Sequence, residues 1–528
     1  MEQNHSQMSR YMRRFFSGTL LSRVSGMFRD IGMAAAFGDH PSVAAFMVAF
    51  RFSHLLRRLL GEGTLQAIFT PYYQSFREKG EVEASAFYAR MTLFLASLLV
   101  SIILFVEGGL GVSLFFSSHS EVLSLFAWLF PSLLFLGLYG LNLAVLQCHH
   151  VFFSSSIAPI ACNVAWVLAV MWLAKTPVPQ AMRYLTWFVL AGFMIQWMIT
   201  LPKTWSFFRR GMKATGGPML SVPAEVKRIG KASLWGVLGV ASTQLNSFLD
   251  MLFASYANAS GPVYLWYAIR LEQLPLAIVG FACVYSITPS LTRLIVAKKN
   301  SEAEELFAFG YRRILMLVVP CTFALWTLGF SSVQLLFGRG CFAWPATVET
   351  TWCLWAYALS LLPSTLVVYY SALFYAYEDV KTPMWISIGS VALNIALNAL
   401  FVFAFHLGAV SIALSTSFCA VFNCLVMKRL FIKKHLLNLR YPSIWRFVHL
   451  AGMGVLAFVF SLWVDRSFLG EFFFSHEFVS RQLSFADQLT YFLCQLTNFV
   501  TVTFLGLWLT NRKTVLEIKD LLFAKELS

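Results

Sequence analysis

Charge is what this chain has least of. Asp, Glu, Lys and Arg make up 12% of its 528 residues, against about 25% in an ordinary soluble domain. A soluble protein of this length would need several cores beneath a far larger polar surface, so that class is excluded. Walker A, HExxH, GxSxG and Gly-rich dinucleotide sequences are also missing, which leaves an ATP-driven pump or a soluble-domain enzyme without support. The nine cysteines lie mostly inside apolar runs and form no CxxC or Cys/His ligand pattern. They read as small buried hydrophobes rather than a disulfide framework or a metal set. Acid is scarcer than base, 25 residues against 40, giving a net charge of +15. That excess would suit nucleic acid, but the basic residues gather in alternate loops, as in membrane proteins with positive cytoplasmic loops. No nucleic-acid partner is expected.

Hydrophobic residues make up 58% of the chain, and its mean hydropathy is +0.68. Apolar runs of about 20 residues, the length that crosses a hydrocarbon core, recur throughout. The sequence therefore predicts an all-α polytopic membrane protein with about 14 transmembrane helices. Their cores run from 15–37 and 42–72, through 231–256 and 262–291, to 444–464 and 488–510. The basic loops, among them 207–231, 293–300 and 427–435, place the N- and C-termini in the cytoplasm. "MSRYMRRFFSG" resembles a twin-arginine export signal only superficially, since no short apolar region with a small-residue cleavage site follows it. Arg13 and Arg14 are expected to flank the first span.

Two halves echo one another. Arg51 precedes Thr70–Pro71 and Arg77, while Arg270 precedes Thr288–Pro289 and Arg293; the Arg-to-Pro separations are 20 and 19. Pro131–Ser132 and Asn163 match Pro363–Ser364 and Asn394 at separations of 32 and 31. The expected organisation is two pseudo-symmetric six-helix lobes, 1–206 and 231–430, joined by a basic cytoplasmic linker at 207–230. Two extra transmembrane helices and a cytoplasmic tail fill 431–528.

Charges within these spans are costly, roughly 2.5–3.5 kcal/mol each at the bilayer centre on insertion scales. If span two is helical, Arg51, His54, Arg58, Glu62 and Gln66 line one face. Arg57 points about 100° away, and both Arg57 and Arg58 lie about 24 Å along the axis from Pro41. Span one adds Arg23, Arg29 and Asp30, and span eight adds Arg270 and Glu272. The candidate substrate-binding residues are thus Arg23, Arg29, Arg51, Arg57, Arg58 and Arg270, and the candidate ion-pair and gating residues are Asp30, Glu62 and Glu272. Pairs such as Arg58–Glu62 could simply brace helices. Three acids cannot neutralise six guanidiniums, however, and arginine in excess suits an anionic ligand such as phosphate or pyrophosphate. If both lobes face a common cavity, that excess would line it.

Asp250, with Asn394 and Asn398 one turn apart, could offer oxygen ligands to a coupling cation, although Asn in a membrane helix more often bonds across helices. No other cofactor is expected; Na⁺, H⁺ or the membrane potential would drive the cycle. His149–His150 and Glu378–Asp379 are expected at the water interface. The 52 Phe and 16 Trp are expected as lipid-facing bulk and interface anchors.

Four ordered stretches carry a resemblance: "GTLLSRVSGMFRDIGMAAAFG", "VAFRFSHLLRRLLGEGTLQAIFTP", "YAIRLEQLP" and "ALFYAYEDVKTPMWISIGSVALNIALNAL". From about Ser17 to Leu430 the chain resembles the MurJ (MviN) lipid II flippases of bacteria, within the multidrug/oligosaccharidyl-lipid/polysaccharide exporter superfamily. The resemblance implies two six-helix lobes, with extra C-terminal helices that contribute a groove for a polyprenyl tail. It implies alternating-access movement of undecaprenyl-pyrophosphate-linked peptidoglycan precursor across the bacterial cytoplasmic membrane. It also implies functional roles for Arg23, Arg29, Arg57, Arg58, Arg270 and Glu62. Two stretches depart from the family pattern: Ala44 stands where an acid is frequent, and "AIRLEQLP" replaces "ADRLMEFP", so that Ile269 replaces an acid and Glu272 precedes Gln273. The arginines persist while their acidic partners differ.

The expected function is therefore that of a lipid II flippase serving cell-wall synthesis and cell shape, with lipid II and membrane lipids as partners and cell-wall synthesis or division proteins as further ones. A polysaccharide-lipid or multidrug exporter of the same superfamily is the alternative, although drug exporters favour acids for cationic substrates. A polyprenyl-lipid-modifying enzyme would need a catalytic cluster outside the membrane, and the segment Asp465–Asp487 contains no recognisable one.

Overall fold

A computed structural model of the chain describes residues 21–60, 64–116, 120–149, 151–215, 242, 244–435, 444–468, 484–510 and 512. Among the described residues there is helix and no strand, as a hydrocarbon environment requires: only an intrahelical ladder satisfies every backbone N–H and C=O without water.

The chain divides into two compact units, Met1–Leu252 and Phe253–Ser528. The first holds α1 (21–37), α2 (Pro41–Leu60), α3 (Thr64–Lys79), α4 (Glu81–Phe116), α5 (Glu121–Leu129), α6 (Ser132–Cys148), α7 (Phe152–Leu173) and α8 (Val178–Thr215). A helix over 244–257, α9, runs across the division. The second unit continues with α10 (Gly261–Pro275), a π-helical segment (Leu276–Phe281), α11 (Ala282–Val296), α12 (Asn300–Phe337), α13 (Trp344–Ala358) and α14 (Leu361–Ala376). It ends with α15 (Lys381–Ala399), a second π-helical segment (Leu400–Ala404), α16 (Val410–His435), α17 (Ile444–Phe468) and α18 (Phe485–Thr510).

Eight helices are long and apolar enough to cross a membrane, and α5 with α6 makes a ninth path, bent by 40°. Three shorter apolar helices lie at Pro41–Ser53, Ile157–Leu173 and Val448–Trp463. The expected spans at 15–37, 42–72 and 231–256 run into residues outside the described set, so the number fourteen is not reached among those described. The expected linker at 207–230 begins as the end of α8; residues 216–241 lie outside the described residues.

Proline marks the irregularities. Pro131 stands at the α5–α6 bend, where its ring could not continue the preceding ladder. Its repeat counterpart Pro363 lies in the first turn of α14, just after the break at Leu359–Ser360; there a missing N–H costs nothing. Pro275 ends α10 and the π-helical turn follows directly, one way of absorbing a lost backbone bond.

Close helix approach in the first unit depends on glycine. A Cβ at Gly211 of α8 would stand 2.0 Å from the Ser85 carbonyl oxygen of α4, so only glycine permits that crossing. In the second unit, Phe307 stacks on Tyr369, whose hydroxyl donates to the Phe307 carbonyl at 3.2 Å, within a core built from α11, α12, α14 and α16. Helices α17 and α18 pack on α12 through Phe323, Leu450, Ala457, Phe499 and Leu507. Large apolar side chains such as Phe105, Met171 and Trp172 remain exposed, as a lipid-facing surface demands.

Candidate functional site

Within the first unit, one charged cluster is built where α1 meets α7. Arg29 and Asp30 are both buried. Arg29 Nε and Nη2 donate to Asp30 Oδ1 at 3.0 and 2.8 Å, and Nη1 donates to Asn163 Oδ1 at 3.2 Å. Asn163 Nδ2 donates back to the Ser22 carbonyl at 3.2 Å and to Ser25 Oγ at 2.9 Å. The guanidinium carbon lies 4.5 Å from the centre of the Trp166 ring. Trp166 is fully enclosed and receives Phe46 and Phe50 of α2 edge to face at 5.4 and 4.8 Å. A single asparagine thus ties two turns of α1 to α7, and one arginine links an acid, an amide and an aromatic face.

The other candidates of this unit are distributed differently. Arg23 is exposed and Arg51 is half-buried. The backbone of Arg57 and Arg58 continues α2, but their side chains lie outside the described residues, as do the side chains of His54 and Gln66 and the whole of Glu62. The polar stripe expected along span two is therefore described only at Arg51.

In the second unit, Arg270 lies over Trp266 of the same helix, 4.4 Å from the ring centre. The spacing i, i+4 puts the two on one face. Glu272, two residues on, falls on a different face of the helix and is buried; Ser360 Oγ donates to the Tyr357 carbonyl at 2.7 Å. No ion pair of Glu272 occurs among the described residues. Asn394 and Asn398 are both fully buried; Asn398 Nδ2 donates to Asn394 Oδ1 at 2.8 Å, and Asn394 Nδ2 to Thr416 Oγ1 at 3.4 Å. Asp250 is buried in α9 and accepts from Asn246 at 3.2 Å. Among the described residues no group of three His, Cys, Asp or Glu side chains could hold a metal ion.

Three site residues were not legible as such. Asn163 stood out in the sequence only as a repeat mark, and its kinship with Asn394 was the signal available. Trp166 and Trp266 were expected among lipid-facing or interfacial aromatics, yet both are buried under a guanidinium. An arginine at four residues' distance on a helical face was the available sign for Trp266; nothing local marks Trp166.

At the loop before α15, Asp379 Oδ1 accepts the Thr382 N–H at 3.0 Å, and Oδ2 accepts the Thr382 hydroxyl at 2.7 Å and Lys434 Nζ at 3.1 Å. Burial works against the charged carboxylate, but the Thr382 and Lys434 contacts outweigh it and hold the carboxyl below its ordinary range. His149 meets the Tyr73 hydroxyl at 2.9 Å and stacks on Phe207.

The sequence model of the family described as "Lipid II flippase MurJ" matches residues 33–483. A "Probable lipid II flippase MurJ" of Chlamydia muridarum (strain MoPn / Nigg) is 32% identical over 400 residues, 75% of this chain and 74% of that protein. A protein of the same description from Vibrio cholerae serotype O1 is 28% identical over 463 residues, 84% of this chain and 87% of its own. Among solved structures, a "Lipid II flippase MurJ, inward closed conformation" superposes with a TM-score of 0.72 at 19% identity, covering 95% of this chain and 99% of that one. An inward-facing multidrug resistance MATE family transporter of the MOP superfamily gives 0.62 at 14% identity, covering 78% and 94%. The latter two are likenesses of fold.

Proposed function

The chain belongs to the lipid II flippase MurJ family, and from that premise we propose that it moves lipid II from the inner to the outer leaflet of the bacterial cytoplasmic membrane by alternating access. It is a multi-pass membrane transporter, not an enzyme, and it serves peptidoglycan assembly. The observation that carries this reading is the family match over 33–483, which takes in most of the arginine-bearing spans.

The undecaprenyl-linked diphosphate is the part of lipid II that arginine recognises, through paired N–H···O bonds to phosphate oxygens. Arg270 is the candidate of the second unit: its guanidinium lies over the Trp266 ring, 4.4 Å from the centre, and a guanidinium is the group that binds phosphate bidentately. Arg23, Arg51, Arg57 and Arg58 contribute further positive charge, and Arg29, whose charge is balanced by Asp30, acts on the site by holding α1. Glu62 and Glu272 change partners between inward and outward states. A coupling cation has a candidate place in each unit: Na⁺ on the amide oxygens of Asn394 and Asn398 in the second, or H⁺ on the Asp250 carboxylate in the first. Both termini face the cytoplasm, and cell-wall synthesis or division proteins are the expected partners.

Depleting the protein in its host, with no redundant flippase present, should stop lipid II from reaching the outer leaflet; a normal rate would sink the proposal. Arg270→Ala at normal expression should lower transport at least tenfold, and an unchanged rate removes that residue from the mechanism. Collapsing the Na⁺ gradient, the H⁺ gradient and the membrane potential one at a time identifies the energy source.

A further inference from the structure

We propose that Arg29 is a built-in cation of the first unit: its guanidinium stands where an alkali cation would otherwise bridge Asp30 and Asn163, so that the α1–α7 joint holds at every ion concentration. This goes beyond the transport reading and rests on the geometry of one joint.

Three observations carry it. First, the guanidinium is held by oxygen acceptors on two helices, the Asp30 carboxylate and the Asn163 amide oxygen, with the Trp166 ring face beside it. Carboxylate and amide oxygens are alkali-cation ligands, and an aromatic face attracts a cation of any kind. Second, the joint is buried; the exposed fractions of the Arg29 and Asp30 side chains are 9% and 2%. A carboxylate so placed requires a positive charge.

Third, the chain repeats the pattern without the arginine. The echoed pairs Arg51/Arg270 and Pro71/Pro289 are offset by 219 and 218 residues, and the offset from Asp30 to Asp250 is 220. The local sequences are Phe28-Arg29-Asp30 and Phe248-Leu249-Asp250, and Asn163 echoes Asn394. The aspartate and the asparagine recur, while the guanidinium is replaced by an alkyl chain. The comparison is one of sequence alone: the position that carries the cation at Arg29 is Leu249 in the echo. Arg29 is thus a positioning residue: through Asn163, which also binds Ser22 and Ser25, it fixes the turns of α1 that present Arg23.

The test uses the full chain in detergent, with Asp250→Asn throughout to remove that carboxylate from any ion response. Thermal unfolding is followed as NaCl replaces choline chloride at constant ionic strength. The Asp250→Asn parent should be flat. Adding Arg29→Ala should lower the midpoint in choline, and Na⁺ should restore roughly 2–3 °C over two decades of concentration. Adding Asp30→Asn as well should abolish that response, and Arg29→Lys, which keeps a cation, should show none. The proposal is overturned if the Arg29→Ala chain ignores Na⁺, if it fails to fold at every Na⁺ concentration, or if lowered pH restores it where Na⁺ does not. It is also overturned if the response survives Asp30→Asn. A wild-type chain whose Na⁺ response is the same with and without Asp250 counts only against the coupling-cation reading.

Discussion

The guanidinium of Arg270 lies 4.4 Å from the centre of the Trp266 ring, one turn away on α10. Trp266 is enclosed, so the ring beneath the guanidinium is held in place by its packing. A buried cation–π contact is worth about 1–2 kcal/mol. Trp266→Leu should therefore raise the lipid II concentration for half-maximal transport about fivefold or more, with the maximal rate changed less. Trp266→Phe should fall between. Transport into vesicles at graded lipid II measures both; an effect on the maximal rate alone would detach the ring from substrate binding.

Arg29 and Asp30 give a different expectation, because each is already neutralised by the other. Asp30→Asn leaves a buried guanidinium without its counter-charge and should destabilise the chain by about 3–5 kcal/mol. The double change Arg29→Met, Asp30→Leu should recover much of that loss while reducing transport. A double-mutant cycle on unfolding midpoints checks it: additive losses would mean that the pair does not act as one unit.

The helical class and the membrane setting were legible because the bilayer permits so few structures: apolar runs of spanning length in a charge-poor chain leave no other. The arginines were legible for the same reason, since charge at that depth stands out. Asp30, an adjacent acid, was legible as an ion-pair residue and does pair with Arg29; partners distant in the chain were not. That Arg29 takes Asn163, 134 positions away, depends on how α1 packs on α7, and no local pattern encodes it. Glu272 shows the converse. Its sequence neighbourhood invites pairing with Arg270, but a separation of two residues sends the side chains to different faces of α10.

The α4–α8 crossing is set by absence of a side chain at Gly211, where a Cβ would fall 2.0 Å from the Ser85 carbonyl oxygen. The obstacle is backbone, so it cannot rotate away. Gly211→Ala should part the helices and cost about 1–3 kcal/mol, and Gly211→Val more. Gly108→Ala on α4, where nothing stands within 4 Å, is the control and should be neutral or slightly stabilising through helix propensity. Matched losses at both sites, read by thermal unfolding, would show that propensity rather than crossing distance decides.

Asp379 predicts a pH dependence with a definite sign. Burial disfavours its charged form, but the Thr382 and Lys434 contacts prevail and lower its pKa beneath the ordinary 3.8. A carboxyl whose pKa is lower folded than unfolded stabilises the fold fully above the unfolded value, and that contribution disappears as pH falls through the folded value. The stability difference between wild type and Asp379→Asn should therefore be constant from neutral pH down to about 5 and shrink below about 4. Lys434→Met should reduce the difference, because Lys434 Nζ lies 3.1 Å from the carboxylate, but not erase it, because both Thr382 bonds remain. Unfolding midpoints across that range decide the matter: a difference that grows on acidification would mean that the carboxyl is held in its protonated form in the folded protein.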